Sequence, residues 1–120
     1  MTKKTLYISD LDGTLLNSQS QVSAASRDML NRLIADNGIN FSIATARTPA
    51  TVVQLMDGID SRLPYIVMTG AAMWQDGLVN QTYMRPEEVE CLSELSRKYG
   101  IRPFFYTYNG KVIESYHLPT

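Results

Sequence analysis

The chain has 120 residues, enough for one small domain with a modest hydrophobic core. Hydrophobic residues make up 44% of it and charged residues 19%, as in ordinary globular domains. Its 11 basic and 12 acidic residues give a formal net charge of -1, so composition gives no sign of nucleic-acid or membrane partners. A single cysteine excludes an intrachain disulfide, and no apolar segment has the length of a secretory signal or membrane span. We therefore expect a cytoplasmic protein.

The first part of the chain predicts alternating strands and helices. Predicted strands run from Thr5 to Ser9, from Ile39 to Ala44 and from Leu63 to Met68. One helix is predicted to begin after Ser23 and end before Gly38, and a second to begin at Pro49. This order of elements predicts right-handed crossovers and a parallel sheet. The predicted inward faces of the two helices carry Val22, Ala25, Met29, Leu30, Leu33 and Ile34, and Val52, Val53, Met56 and Ile59.

The pattern changes after the third strand. Residues 72–83 predict a hairpin on a two-residue Asp76-Gly77 turn, and residues 104–116 predict another on Asn109-Gly110. Between them a helix is predicted from Pro86 to Tyr99, with Val89, Leu92, Leu95 and Tyr99 facing inward. We place a domain boundary here, with residues 1–83 in the first domain and residues 84–120 in the second.

Two carboxylates follow the first predicted strand. Residues two apart in an extended segment point the same way, so Asp10 and Asp12 share a face from which Leu11 points away. Ligand sites in parallel sheets gather at the carboxyl ends of strands, and crowded carboxylates there favour a cation such as Mg²⁺. One carboxylate can attack phosphorus while the other transfers protons, and Gly13 permits a turn whose N–H groups face an anion. If the Asp-x-Asp pattern is taken alone, the alternative to a catalytic site is an acidic turn that simply ends the strand.

A second polar cluster ends the second predicted strand. Thr45, Ala46 and Arg47 lead directly into the helix that begins at Thr48-Pro49. A threonine hydroxyl and the free N–H groups of a helix start are suited to hold a phosphate. The alternative is that Thr48 only caps the helix and Thr45 only ends the strand.

These segments closely resemble the motifs of the haloacid dehalogenase superfamily. Residues 10–16 read Asp-Leu-Asp-Gly-Thr-Leu-Leu, like the family's first signature. Residues 44–47 are similar to its second motif, with Ala46 where glycine is common, and Thr69-Gly70-Ala71 is similar to the Asn-Gly-Ala of its Cof-type branch. The resemblance implies an α/β fold in which residues 1–83 form the N-terminal part of a Rossmann-like parallel-sheet core. The hairpin, helix and hairpin after the third strand resemble the opening of that branch's α/β cap.

The resemblance also implies a reaction, which is Mg²⁺-dependent hydrolysis of a phosphorylated small molecule through an aspartyl-phosphate. Asp10 is implied as the nucleophile and Asp12 as the proton donor, and both are implied at the Mg²⁺ site, Asp12 through its main-chain carbonyl. The implied phosphate-binding residues are Leu11, Gly13, Thr45, Ala46 and Arg47.

Family members continue into a lysine motif and a C-terminal acidic motif, and neither occurs in this sequence. We therefore expect a truncated phosphatase, with a catalytically deficient phosphate-binding or assembly module as the alternative. A Ca²⁺ loop fits less well, because the twelfth position counted from Asp10 is Gln21 and not glutamate. In the family sheet the first strand is central, because C-terminal strands lie on its other side. A truncated chain would lack those strands, so we expect residues 6–8 to form an open edge. We expect a homo-oligomer or a complementing C-terminal half as partner.

Overall fold

The structure, a computed structural model, describes residues 4–117 and divides the chain into two compact units, Met1–Thr82 and Tyr83–Thr120. The first unit contains five strands and two helices: β1 (Leu6–Asp10), α1 (Ala24–Asn37), β2 (Asn40–Ala44), α2 (Pro49–Leu55), β3 (Tyr65–Val67), β4 (Ala72–Trp74) and β5 (Leu78–Val79). The second contains α3 (Pro86–Tyr99), β6 (Phe104–Tyr108) and β7 (Ile113–His117). No helix within residues 4–117 is long and apolar enough to cross a membrane.

One five-stranded sheet, in the order β1-β2-β3-β4-β5, organises the first unit. The first three strands are parallel, with Asp10 opposite Ala44 and Ala44 opposite Ile66, and the last two are antiparallel additions. The predicted α/β class with parallel core strands is confirmed. The largest fully buried side chains among the described residues are Leu11, Ile43, Val52 and Val67.

β1 lies at the edge of this sheet and pairs only with β2 among the described strands. Leu6, Tyr7 and Ile8 are exposed by 55%, 53% and 47%, as expected of an open edge at residues 6–8. A parallel strand is buried only when layers cover both of its faces. The described part of the first unit does not provide that cover for β1.

The two core helices begin as predicted. Ser23 accepts the N–H of Ser26 at 3.1 Å to cap α1, and Gly38, with a φ of 61°, ends it in the left-handed region. The predicted inward faces are too wide, because Met29 is 52% and Val53 47% exposed. Val53 follows the fully buried Val52, and neighbours on a helix differ in direction by about 100°, so both cannot face the core.

Both predicted hairpins form, but on longer connections than two residues. Trp74 pairs with Leu78 across three residues, and Tyr108 pairs with Ile113 across four. In the second connection Asn109 Oδ1 accepts the N–H groups of two residues that follow it, which closes the loop. The first hairpin extends the core sheet beside β3, so it does not belong with the elements that resemble a cap.

The second unit has a well-capped helix and little buried surface. Arg85 N–H donates to Glu88 Oε1 at 3.0 Å at the start of α3, and Gly100 ends the helix with a φ of 65°. Leu92, Leu95 and Tyr99 are exposed by 41%, 44% and 64%, so their predicted inward orientation is wrong. One helix and a two-stranded sheet are too few elements to enclose these side chains.

Candidate active site

The carboxyl end of β1 leads into a wide turn, Leu11–Leu15, which Leu16 N–H closes by donating to the Leu11 carbonyl at 2.9 Å. Leu11 is fully buried between exposed Asp10 and Asp12, which fits the alternation expected of this segment. Gly13 has a φ of 78°, and a Cβ placed there would meet no atom within 4 Å. Glycine is therefore needed at this position for its backbone conformation and not for space.

Asp10 presents an accessible carboxylate at the end of β1. Its Oδ1 accepts the Leu11 N–H at 2.8 Å, which fixes the orientation of the group. Oδ2 has no hydrogen-bond partner among residues 4–117 and is available to a ligand. Leu11, which the family resemblance implies as a phosphate-binding residue, donates its N–H to Asp10 in this structure.

Thr45 follows Ala44, which pairs in register with Asp10, so Thr45 lies at the strand end next to that of Asp10. The Thr45 side chain is only 6% exposed, and its Oγ1 accepts the Arg47 N–H at 3.1 Å. A hydroxyl that accepts one hydrogen bond still has its own proton to donate. The Ala46 N–H has no protein partner in the described part of the chain. These two donors are suited to hold an anion at this edge.

Arg47 and Asp12 form a two-pronged ion pair between the two strand ends. The Arg47 Nε and Nη2 atoms donate to Asp12 Oδ2 and Oδ1 at 2.8 and 2.7 Å. The hydrogen bond from Arg47 holds the pKa of the Asp12 carboxyl below its ordinary value, and the same bond raises the pKa of Arg47. Asp12 is therefore held as an ionised acceptor, whereas a proton donor has to carry a proton.

The turn after β3 is fastened to this same region, and sequence reasoning missed that connection. Met68 N–H donates to the Arg47 carbonyl and Thr69 N–H to the Thr45 carbonyl, both at 3.0 Å. Met68 and Thr69 have φ values of 49° and 56°, in the left-handed region that costs a non-glycine residue about 1 kcal/mol or more. Gly70 is the only local sequence signal for such a turn. The third motif is thus tied to the second through its main chain.

The site offers ligands of the right kind for Mg²⁺, which prefers oxygen. These are the exposed Asp10 carboxylate and the main-chain carbonyl of Asp12. Among residues 4–117 there is no group of three His, Cys, Asp or Glu side chains placed to hold a metal ion. The donors therefore fit a magnesium ion in chemistry, as part of a coordination shell.

Comparison with known proteins identifies the family. A model of the haloacid dehalogenase-like hydrolases matches residues 7–118. The chain is 36% identical over 87 residues to the 5-amino-6-(5-phospho-D-ribitylamino)uracil phosphatase YwtE of Bacillus subtilis, a match that covers 71% of this chain and 29% of that protein. The 5-amino-6-(5-phospho-D-ribitylamino)uracil phosphatase YcsE of the same organism is 26% identical over 102 residues, a match that covers 83% of this chain and 41% of that protein. The chain belongs to the haloacid dehalogenase-like hydrolase family, and the resemblance seen in its motifs is confirmed.

Solved structures support the same fold. A phosphatase of the HAD superfamily from Bacteroides thetaiotaomicron matches with a TM-score of 0.72 and 24% identity, over 97% of this chain and 42% of that one. A haloacid dehalogenase-like hydrolase from B. subtilis matches with a TM-score of 0.69 and 24% identity, over 90% and 38%. The chain thus spans less than half the length of each of these relatives.

Proposed function

We propose that this site hydrolyses phosphate monoesters, with Mg²⁺ as cofactor and Asp10 as the residue that is phosphorylated. One observation carries the proposal: the free Oδ2 of Asp10 and the hydroxyl of Thr45 lie at the ends of neighbouring parallel strands joined through the Asp10–Ala44 register. A carboxylate and a hydroxyl at adjacent strand ends support the assignment of Asp10 as nucleophile and Thr45 as phosphate-binding donor. The two curated relatives, both phosphatases, support the same reaction class.

In the first step Asp10 Oδ2 attacks phosphorus and forms an acyl-phosphate bond. The bond between phosphorus and the ester oxygen breaks, and that oxygen keeps the electron pair and takes a proton from Asp12, which has to enter this step protonated. The Thr45 hydroxyl and the N–H groups of Gly13 and Ala46 donate hydrogen bonds to the phosphoryl oxygens. The alcohol then leaves, and Asp12 remains as a carboxylate.

In the second step a water molecule attacks the phosphorus of phosphorylated Asp10. The Asp12 carboxylate takes the proton of this water, and the bond between Asp10 and phosphorus breaks. Inorganic phosphate leaves, the Asp10 carboxylate is restored, and Asp12 is again protonated. Both steps require Asp12 to face the reacting oxygen, although its two oxygens are engaged by Arg47 in the structure.

The Asp10 carboxylate and the Asp12 main-chain carbonyl are the groups of this chain that would hold Mg²⁺. When bound, the ion neutralises negative charge on the phosphoryl oxygens and on the attacking carboxylate.

The names of the B. subtilis relatives suggest a first substrate to assay, 5-amino-6-(5-phospho-D-ribitylamino)uracil. Sugar phosphates and nucleotides complete the substrate panel. We place this reaction in the cytoplasm, in keeping with the single cysteine.

A catalytically deficient phosphate-binding or assembly module is the second candidate. Two observations favour it: no three metal-binding side chains come together in residues 4–117, and Asp12 is held by Arg47 as an acceptor. Such a module would bind phosphate at Thr45 and Ala46 without turning over an ester.

We further propose that the open β1 edge, which exposes Leu6, Tyr7 and Ile8, pairs with a second copy or with a complementing C-terminal half.

The two candidates are separated by phosphate release from p-nitrophenyl phosphate, measured with and without Mg²⁺. Asp10→Asn should abolish turnover, and Asp12→Asn should slow it by about 10²–10⁴-fold. Asp36→Asn, a change of an exposed carboxylate on α1, is the matched control and should leave turnover unchanged. Turnover by Asp10→Asn at the unmodified rate would refute the phosphatase assignment. Phosphate binding with no turnover by the unmodified chain would favour the binding module.

A further inference from the structure

The ion pair between Asp12 and Arg47 uses both groups that the proposed reaction needs. Each oxygen of the Asp12 carboxylate accepts an N–H from the guanidinium, at 2.8 and 2.7 Å. In this arrangement neither oxygen is free for the ester oxygen or for water. Two of the donors that Arg47 would offer to a phosphate are also occupied. The pair therefore has to open before the reaction can proceed.

The structure fixes the main chain of Arg47 while leaving its side chain accessible. The Arg47 N–H donates to the Thr45 hydroxyl at 3.1 Å, and its carbonyl accepts the Met68 N–H at 3.0 Å. The side chains of Arg47 and Asp12 are 31% and 55% exposed, so water and small anions reach the pair. The Arg47 side chain can therefore rotate while its main chain stays bonded to Thr45 and Met68.

A phosphate monoester is a natural competitor for this guanidinium. It presents pairs of oxygens with the spacing that suits the planar arginine fork, as a carboxylate does, and it carries more negative charge. We infer that Arg47 exchanges partners: without ligand it binds Asp12, and when a phosphoryl group occupies the Thr45 site it binds that group and releases Asp12. The inference rests on the proposed function and deepens it, because it links binding of the phosphate to freedom of the proton-transferring side chain.

The chain contains a matched control for this exchange. Arg85 and Glu88 form another exposed ion pair, with Arg85 Nε 3.1 Å from Glu88 Oε1, at the start of α3. No part of the phosphate site proposed above involves this pair. A phosphate effect that is specific to Arg47 should therefore leave Arg85 unchanged, whereas a general effect of ions would alter both.

The test is NMR of the arginine Nε–Hε groups, the Asp12 carboxyl carbon and the backbone amides during titration with inorganic phosphate at constant pH and ionic strength. We expect the Arg47 and Asp12 signals to move with the same dissociation constant as the Thr45 and Ala46 amides, while Arg85 stays in place. Asp12→Asn should tighten phosphate binding about fivefold or more, because the competitor is gone. In an Arg47→Gln background the same Asp12→Asn change should alter binding by less than about twofold.

Three results would overturn this inference, and they are distinguishable. If the Thr45 and Ala46 amides respond while Arg47 and Asp12 do not, partner exchange is wrong and the phosphate site stands. If Asp12→Asn tightens binding equally with and without Arg47, Asp12 acts only through its charge. If no amide near Thr45 responds, the phosphate site fails and the proposed function fails with it. Arg47→Lys, which keeps the charge but loses the paired N–H geometry, provides a second variant and should also reduce the coupling.

Discussion

Replacement of Thr45 separates its role in the fold from its role in binding. Thr45→Val removes the acceptor of the Arg47 N–H and should cost about 1–2 kcal/mol of unfolding free energy, because a donor near the protein interior loses its partner. Thr45→Ser keeps the hydroxyl but removes a methyl group from a side chain that is 6% exposed. That loss should cost about 1 kcal/mol, since burial of one methyl or methylene is worth about 0.8 kcal/mol.

The two variants are therefore matched in stability and differ in chemistry. Urea denaturation measures the cost of each, and a phosphate titration followed by amide NMR measures binding. Thr45→Ser should bind phosphate as the unmodified chain does. Thr45→Val should bind at least about tenfold more weakly, because a hydrogen bond to a charged group is worth about 1.5–3 kcal/mol. Unchanged phosphate binding by Thr45→Val would show that the hydroxyl is not a donor to the anion.

Three further predictions concern the core, the ion pair and the sheet edge. Val52→Ala should lower the free energy of unfolding in urea by about 2 kcal/mol, because Val52 is 0% exposed. Val53→Ala beside it, at a residue 47% exposed, should change that free energy by less than about 0.5 kcal/mol. Equal costs for the two variants would contradict the described packing of α2. The pKa of Asp12 should lie below its ordinary value in a carbon-detected NMR titration, and it should rise toward that value in Arg47→Gln. The stability that this pair contributes is therefore present above the ordinary pKa of aspartate, and it is lost as pH falls through the lowered pKa. Ile8→Lys on the open β1 edge should weaken self-association measured by light scattering at micromolar concentration; a chain that is already monomeric would refute pairing through this edge with a second copy.

Local signals account for the parts of the fold that could be predicted. Ser23 and Gly38 fix the ends of α1 through contacts within a few residues, which a sequence pattern records directly. The alternation around Leu11 likewise follows from the geometry of an extended chain, and it places Asp10 and Asp12 on the exposed side. The family motifs added the expected chemistry at these positions.

The features that could not be predicted depend on distant parts of the chain. The Asp12–Arg47 pair joins residues 35 positions apart, and its two-pronged geometry depends on side-chain torsions that spacing does not reveal. Met68 and Thr69 are residue types that disfavour the left-handed region, and main-chain bonds to Arg47 and Thr45 help to hold them there. The exposure of the apolar face of α3 depends on how many neighbouring elements there are, which periodicity within the helix does not record.

The central claim is that Asp10 becomes phosphorylated. The most direct measurement is an acid quench of the chain during reaction with acetyl phosphate and Mg²⁺, followed by peptide mass spectrometry. We predict one added phosphoryl group on the peptide that contains Asp10. It should be absent in Asp10→Asn and more abundant in Asp12→Asn, where attack by water is slowed. Hydrolysis of acetyl phosphate that leaves a phosphoryl group on another residue, or that proceeds unchanged in Asp10→Asn, would contradict the account.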